Sequence, residues 1–160
     1  MVLLGHTRAP TGGAPVDYVN NHPFEIGGYY LAHNGILINH EEVRKTLRSV
    51  PDEVQTDSIT ILHSIWEKDG AIEDRIRKAC EELKGSYACW LYDQALLQLY
   101  LFRCISPLFV RTMRSGTLAF SSEDFPLSVE FPEGVIARYT VRQAAFEERG
   151  HFSYYTPYKF

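Results

Sequence analysis

Ile59, Leu62, Ile65 and Trp66 are spaced three and four residues apart. That period gathers apolar side chains on one face of a helix, and it predicts a helix over about 57–68. A second stripe, Ile72, Ile76, Cys80 and Leu83, predicts a helix over 72–83, which Gly85 ends. Upstream, Asn39 and Glu42 have the spacing of an N-cap and its N3 partner, and Val43 and Leu47 share a face of the helix they would open. Beyond these helices the pattern changes. Segments 87–92, 96–103, 108–111, 117–121 and 134–140 read as strands. Ahead of the helices, 1–7 reads as a strand, 11–25 as a Gly-, Pro- and Asn-rich loop, and 28–33 as a strand ending at Asn34-Gly35.

Several strands are apolar at consecutive positions, most clearly Leu96 to Phe102, so both of their faces call for cover. Amphipathic helices beside such strands predict an α+β fold with stacked sheets and helices outside. The pattern leaves open a four-layer αββα sandwich and a simpler α+β sandwich. The aromatic tail, 152–160, reads as a segment that closes the core rather than one that docks on a partner.

A length of 160 residues predicts a single domain, 1–160. The net charge of −4, with no basic run, gives no footprint for nucleic acid. No apolar stretch has the length of a membrane span, and Gly5, His6 and Arg8 interrupt the apolar start before it could serve as a signal-peptide core. These features predict a cytoplasmic protein with neither nucleic acid nor membrane as partner. The three cysteines, Cys80, Cys89 and Cys104, form no CxxC pair and lie in apolar segments, so they read as free thiols.

Four short segments stand out: HTRAPTGG at 6–13, NNHPF at 20–24, AHNGILINH at 32–40 and QTDS at 55–58. Each has a plain structural reading. Asn34-Gly35 is a hairpin signal, Thr56 or Asp57 suits a helix cap, and Pro23 punctuates a turn. Arg8 beside a glycine-rich turn offers a fork of donors suited to a carboxylate or phosphate.

Taken in order, these segments resemble the glutaminase domain of class II glutamine amidotransferases. The resemblance rests on His6-Thr7-Arg8 with Thr11, Asn21-His22-Pro23, His33-Asn34-Gly35 with Asn39-His40, and Thr56-Asp57. Weaker echoes follow at Gly85-Ser86-Tyr87, Ser106-Pro107-Leu108 and Ser121-Ser122-Glu123. The resemblance implies the N-terminal-nucleophile αββα sandwich and hydrolysis of the glutamine side-chain amide to glutamate and ammonia. It implies that Arg8 grips the α-carboxylate of glutamine, Asp57 accepts from its α-ammonium and Thr11 lines the pocket. The Asn34 side-chain amide and the Gly35 backbone N–H would form the oxyanion hole. His22 and His33 read as structural residues that orient loops. No cofactor or metal is implied. The implied partners are glutamine and a synthase domain or subunit that accepts the ammonia.

In that family the nucleophile is a cysteine that opens the mature chain, several dozen residues ahead of the HTR segment. Here Met1 stands five residues before His6, and none of Cys80, Cys89 and Cys104 is near the HNG segment in sequence. The expectation is a fold incomplete at its N-terminus and inactive alone: a truncated or mis-started reading of a longer enzyme, or one piece of a split enzyme completed by a complementing N-terminal cysteine segment or compensated by homodimerisation. The alternative is a catalytically silent homologue that binds glutamine or a partner. Ala9 and Gly12 stand where the glucosamine-type enzymes carry tryptophan and histidine, so no glucosamine pathway is assigned. HTRAPT also differs from the corresponding segment of asparagine-synthetase-like glutaminases.

Overall fold

The computed structural model describes residues 2–7, 20–54 and 56–155. Its strands are β1 (Phe24–Ile26), β2 (Tyr29–Leu37), β3 (Gly85–Asp93), β4 (Gln98–Cys104), β5 (Phe109–Thr112), β6 (Leu118–Ser121), β7 (Val129–Glu130), β8 (Val135–Thr140) and β9 (Ala145–His151). Its helices are α1 (His40–Arg44), α2 (Asp57–Glu67) and α3 (Ile72–Glu82).

Successive strand residues point to opposite faces, and β3 uses both. Tyr87, Cys89 and Leu91 join one apolar cluster, while Ala88 and Trp90 join another. β4 divides in the same way, with Tyr100 and Phe102 on the first side and Leu99 and Leu101 on the second. These strands lie at the centre of a six-stranded antiparallel sheet, ordered β1-β2-β3-β4-β8-β9. On the first face, α2 and α3 supply Ile61, Leu62, Ile65, Ile76 and Cys80. On the second, Leu108, Val110, Leu118 and Phe120 come from a three-stranded sheet, β6-β5-β7, and its approach. The protein is therefore α+β, and of the four layers of the αββα expectation the described residues supply three: a helical layer, a six-stranded sheet and a smaller sheet. No described helix contributes to the core between the two sheets.

α2 packs over β1 and β2, and α3 over β8 and β9. Both helices run within a residue of their predicted bounds. α3 stops at Glu82, with Leu83 already extended, so Gly85 opens β3 rather than ending the helix. Asn39 does occupy the N-cap position of α1, but its side chain does not cap. It bridges two distant segments instead, donating to the Glu82 carbonyl at 2.9 Å and accepting from Lys84 N–H at 2.8 Å.

Two strand expectations are corrected. Residues 2–7 form no strand; Leu4 packs on the inter-sheet core while Leu3 stays exposed. The strand expected to end at Asn34-Gly35 runs on to Leu37, because β3 supplies ladder partners along its whole length, from Tyr29↔Asp93 to Leu37↔Gly85. The predicted loop 11–25 also gives way to β1 at Phe24. β7 and β9 were not anticipated. β7 has only two residues, and β9 carries Glu147, Glu148 and Arg149 on an exposed sheet edge. At the tail, Phe152 is buried against Tyr87 in the helix-side core, as the core reading requires; 156–160 lies outside the described residues. Among the described residues no helix is long and apolar enough to cross a membrane.

Leu91 is fully buried at the centre of the sheet. Leu91→Ala is expected to destabilise the fold by about 2–5 kcal/mol, through lost transfer energy and the cavity left behind. Thermal or denaturant unfolding followed by circular dichroism measures this. A loss within about 0.5 kcal/mol, the range of ordinary surface changes, would contradict the placement.

Candidate active site

β2 carries His33, Asn34 and Gly35 to the rim of the sheet, and the first turn of α2 brings Thr56, Asp57 and Ser58 to the same place. With His6 and Thr7 from the first described segment, and His22, these residues line a cavity of about 320 Å³. A second cavity of about 500 Å³ shares His6, Thr7, His33 and Asn34, and continues between the sheets past Trp90, Leu108 and Phe120 to Ser121 and Ser122. Asn34 is exposed where the two meet.

Gly35 is fixed by its neighbours. Its φ is +139°, which L side chains rarely adopt. A Cβ there would overlap the Ser86 carbonyl oxygen, and would lie 2.7 Å from the Ser86 carbonyl carbon and 2.8 Å from Ser106 Oγ. Gly85 mirrors this on β3: with φ +138°, its added Cβ would overlap the Ile36 carbonyl oxygen and lie 2.9 Å from Leu37 Cα.

Asp57 and Thr56 do not act as caps. The Thr56 hydroxyl makes no cap bond and is buried without a hydrogen-bond partner. The Asp57 carboxylate reaches across to β2, where Oδ2 accepts from Leu37 N–H at 2.8 Å. Its other oxygen lies 3.4 Å from Ser58 Oγ and 3.9 Å from His33 Nδ1. The Ser58 contact is a long hydrogen bond to that oxygen, and a carboxylate oxygen can accept a further donor on its second lone pair. An acidic residue in the first turn also suits the positive end of the helix dipole.

His33 is buried, with Nδ1 2.9 Å from Ser58 Oγ. Burial pulls its pKa below the ordinary imidazole value, against the opposing pull of Asp57. A neutral His33 does not neutralise Asp57, and it ties β2 to α2 as the structural reading expects. The His22 ring packs 4.1 Å from that of His6 and 5.0 Å from that of Phe24, and the His22–Pro23 peptide is cis.

Three of the five expected site residues, Asn34, Gly35 and Asp57, thus line one cavity. Arg8 and Thr11 lie outside the described residues. Sequence reasoning gave no role to Ser58, Ser86 or Ser106. Only the short Gly-Ser-Tyr and Ser-Pro-Leu echoes pointed towards the last two. Among the described residues no group of His, Cys, Asp or Glu is arranged to hold a metal ion.

Burial pushes the Cys80 and Cys89 thiols far above the ordinary range and Cys104 up to about 12. All three are buried and free, and the thiolate is the reactive form. They are expected to resist an aromatic disulfide reagent in the folded chain and to react once denaturant unfolds it. Rapid labelling of any of them in the native state would contradict this.

A second expectation concerns acid. Burial also lowers His63, against the opposing pull of Glu67. Below about pH 6.5 the unfolded chain binds protons that folded His33 and His63 refuse. Stability is therefore complete above that pH and falls as pH drops towards the folded values. Thermal melts from about pH 7 to about pH 5 should show a declining Tm, with a shallower decline for His63→Gln. A flat profile would contradict the assignment.

Residues 18–128 match the profile of a family described as a glutamine amidotransferase domain. The glutamine–fructose-6-phosphate aminotransferase of Aliivibrio fischeri is 32% identical over 159 residues, covering 92% of this chain and 26% of that protein. The enzyme of the same name from Thermococcus kodakarensis is 35% identical over 141 residues, covering 83% of this chain and 23% of that protein. The chain spans about a quarter of the length of these two relatives. Among solved structures, glutamine phosphoribosylpyrophosphate amidotransferase from B. subtilis, complexed with ADP and GMP, superposes with a TM-score of 0.75 at 22% identity. It covers 92% of this chain and 34% of that one. A structure titled as the allosteric regulatory enzyme of purine biosynthesis gives 0.71 at 18% identity, covering the same shares. At such identities the likeness is one of fold, the N-terminal-nucleophile type.

Proposed function

The chain belongs to the class II glutamine amidotransferase domain family, and on that premise we propose that its 320 Å³ cavity is a glutamine site. The observation that carries the reading is the meeting of His6, Thr7, Asn34, Gly35 and Asp57 around one cavity from three separate stretches of chain. Asp57 accepts from the α-ammonium of glutamine, and Arg8 grips the α-carboxylate as a bidentate fork. Thr11 lines the pocket. The glutamine side-chain amide then points to Asn34 and Gly35, whose side-chain NH₂ and backbone N–H stabilise the oxyanion that forms when the amide carbon is attacked. The products are glutamate and ammonia, and the ammonia passes to a synthase domain or subunit.

The attacking thiolate comes from a segment that begins with cysteine, whose free α-amino group assists proton transfer. The gap between residues 2–7 and β6 supports this. A cavity of about 240 Å³ is lined by Val2, Leu3 and Leu4 on one side and Leu118 and Phe120 on the other. The 500 Å³ cavity, which shares Phe120 with it, is lined by Gly5, His6 and Thr7 and by Ser121 and Ser122, and includes Asn34. An extended segment laid along that gap would end beside the oxyanion donors. One observation favours a second reading, a glutamine binder without turnover: each cysteine in the chain is buried and its thiol held protonated.

Titration calorimetry with L-glutamine tests the site under both readings. The chain should bind glutamine saturably, and Asp57→Asn should weaken binding about tenfold or more, about 1.4 kcal/mol. Asn34→Ala should leave affinity nearly unchanged. In a protein that carries the cysteine segment, it should lower kcat about 10²–10³-fold, as loss of one oxyanion donor does. No glutamine binding, or equal binding by a folded Asp57→Asn variant, would overturn the proposal.

A further inference from the structure

Arg103 is a charged residue in the wrong place for β4. It lies on the inter-sheet face, its side chain only 5% exposed. Burying a guanidinium costs several kcal/mol unless it is fully partnered. Here its donors join two segments, the turn just beyond β4 and the chain at the end of β7. Nε donates to the Phe131 carbonyl, Nη1 to the Ser106 carbonyl at 3.0 Å, and Nη2 lies 2.9 Å from Glu130 Oε1.

The turn that Arg103 holds is a tight one. Ser106 N–H bonds to the Cys104 carbonyl at 2.8 Å, closing a three-residue turn around Ile105. Ile105 has φ +66°, a strained value for a β-branched residue. Such strain persists only where the surroundings over-determine it. Its effect is to aim the buried Ser106 hydroxyl across the strand ends. That hydroxyl bonds to Ser86 Oγ, and it lies 2.8 Å from where a Gly35 Cβ would stand. The Ser86 carbonyl closes the same side of Gly35.

We propose that the Ser86–Ser106 hydroxyl pair, clamped by Arg103 through the Ile105 turn, is a positioning element that fixes the Asn34–Gly35 backbone in its ligand-ready conformation. The inference rests on the reading of Asn34 and Gly35 as oxyanion donors. A donor on a strand near the sheet rim must be held to a fraction of an ångström to act. Gly35 has no side chain with which to anchor itself. The hydroxyl pair supplies from β3 and the post-β4 turn the wall that a Cβ would otherwise provide. Neither serine lines the glutamine cavity, so each acts through Gly35 and not on a ligand.

The test uses the ¹⁵N-labelled chain as wild type, Ser106→Ala, Ser86→Ala and the double variant, with Tm measured for each. Both single variants are expected to fold with spectra unchanged at distant amides. In both, the Asn34 and Gly35 amide resonances should shift and broaden from new microsecond–millisecond exchange. The double variant should add nothing beyond either single one, the signature of two groups acting as one pair. Unchanged Asn34 and Gly35 resonances in a folded Ser106→Ala chain would overturn the proposal, as would effects of the two substitutions that simply add. These resonances can be read without ligand. A separate glutamine titration of wild type reports on the glutamine reading, so failure of that reading and failure of the positioning role give different results.

Discussion

The backbones of β2 and β3 meet at Gly35 and Gly85 more closely than side chains allow. A Cβ at either position would overlap a carbonyl oxygen of the opposite strand. This approach sets the register from Leu37↔Gly85 back to Tyr29↔Asp93, and with it the alternation that sends Tyr87, Cys89 and Leu91 to the helices and Ala88 and Trp90 to the second sheet. A slip of one residue would exchange the two cores. The same contact places Asn34 and Gly35 at the cavity rim.

Around that stretch the polar groups divide into those that hold and those that remain available. His33 and Ser58 tie β2 to α2, and Leu37 N–H occupies one oxygen of Asp57. Among the described residues the other Asp57 oxygen accepts a long hydrogen bond from Ser58 Oγ and lies 3.9 Å from His33 Nδ1, whose pKa burial lowers. The cysteines belong to the scaffold: all three are buried in the helix-side core.

Much of this was legible in the sequence, for identifiable reasons. α2 and α3 each bury a continuous apolar stripe, and a 3.6-residue period is hard to mimic. β3 and β4 are apolar on both faces, which fixed the need for cover on each side. β7 and β9 escaped because β7 has only two residues, both exposed, and β9 exposes Glu147, Glu148 and Arg149 in succession, so neither carries an apolar alternation. Asn34-Gly35 suggests a turn from local propensity alone, yet the partner strand keeps it in the ladder; a tertiary contact overrode a local signal. Asn39 and Thr56 sit at cap positions without capping, because a bridge to Glu82 and Lys84 claims the first and no cap bond forms at the second. Asn34, Gly35 and Asp57 were found through the family's motifs and not through periodicity. Ser86 and Ser106 left only faint traces, since a hydroxyl that acts through a neighbour's backbone has no spacing rule of its own.

The measurement that tests the central claim most directly is a crystal structure of the chain soaked with L-glutamine. The account predicts glutamine in the cavity between β2 and the first turn of α2, its α-ammonium on the Asp57 carboxylate and its side-chain amide oxygen turned to Asn34 and Gly35. Glutamine bound elsewhere, or an unchanged cavity at saturating ligand, would contradict it.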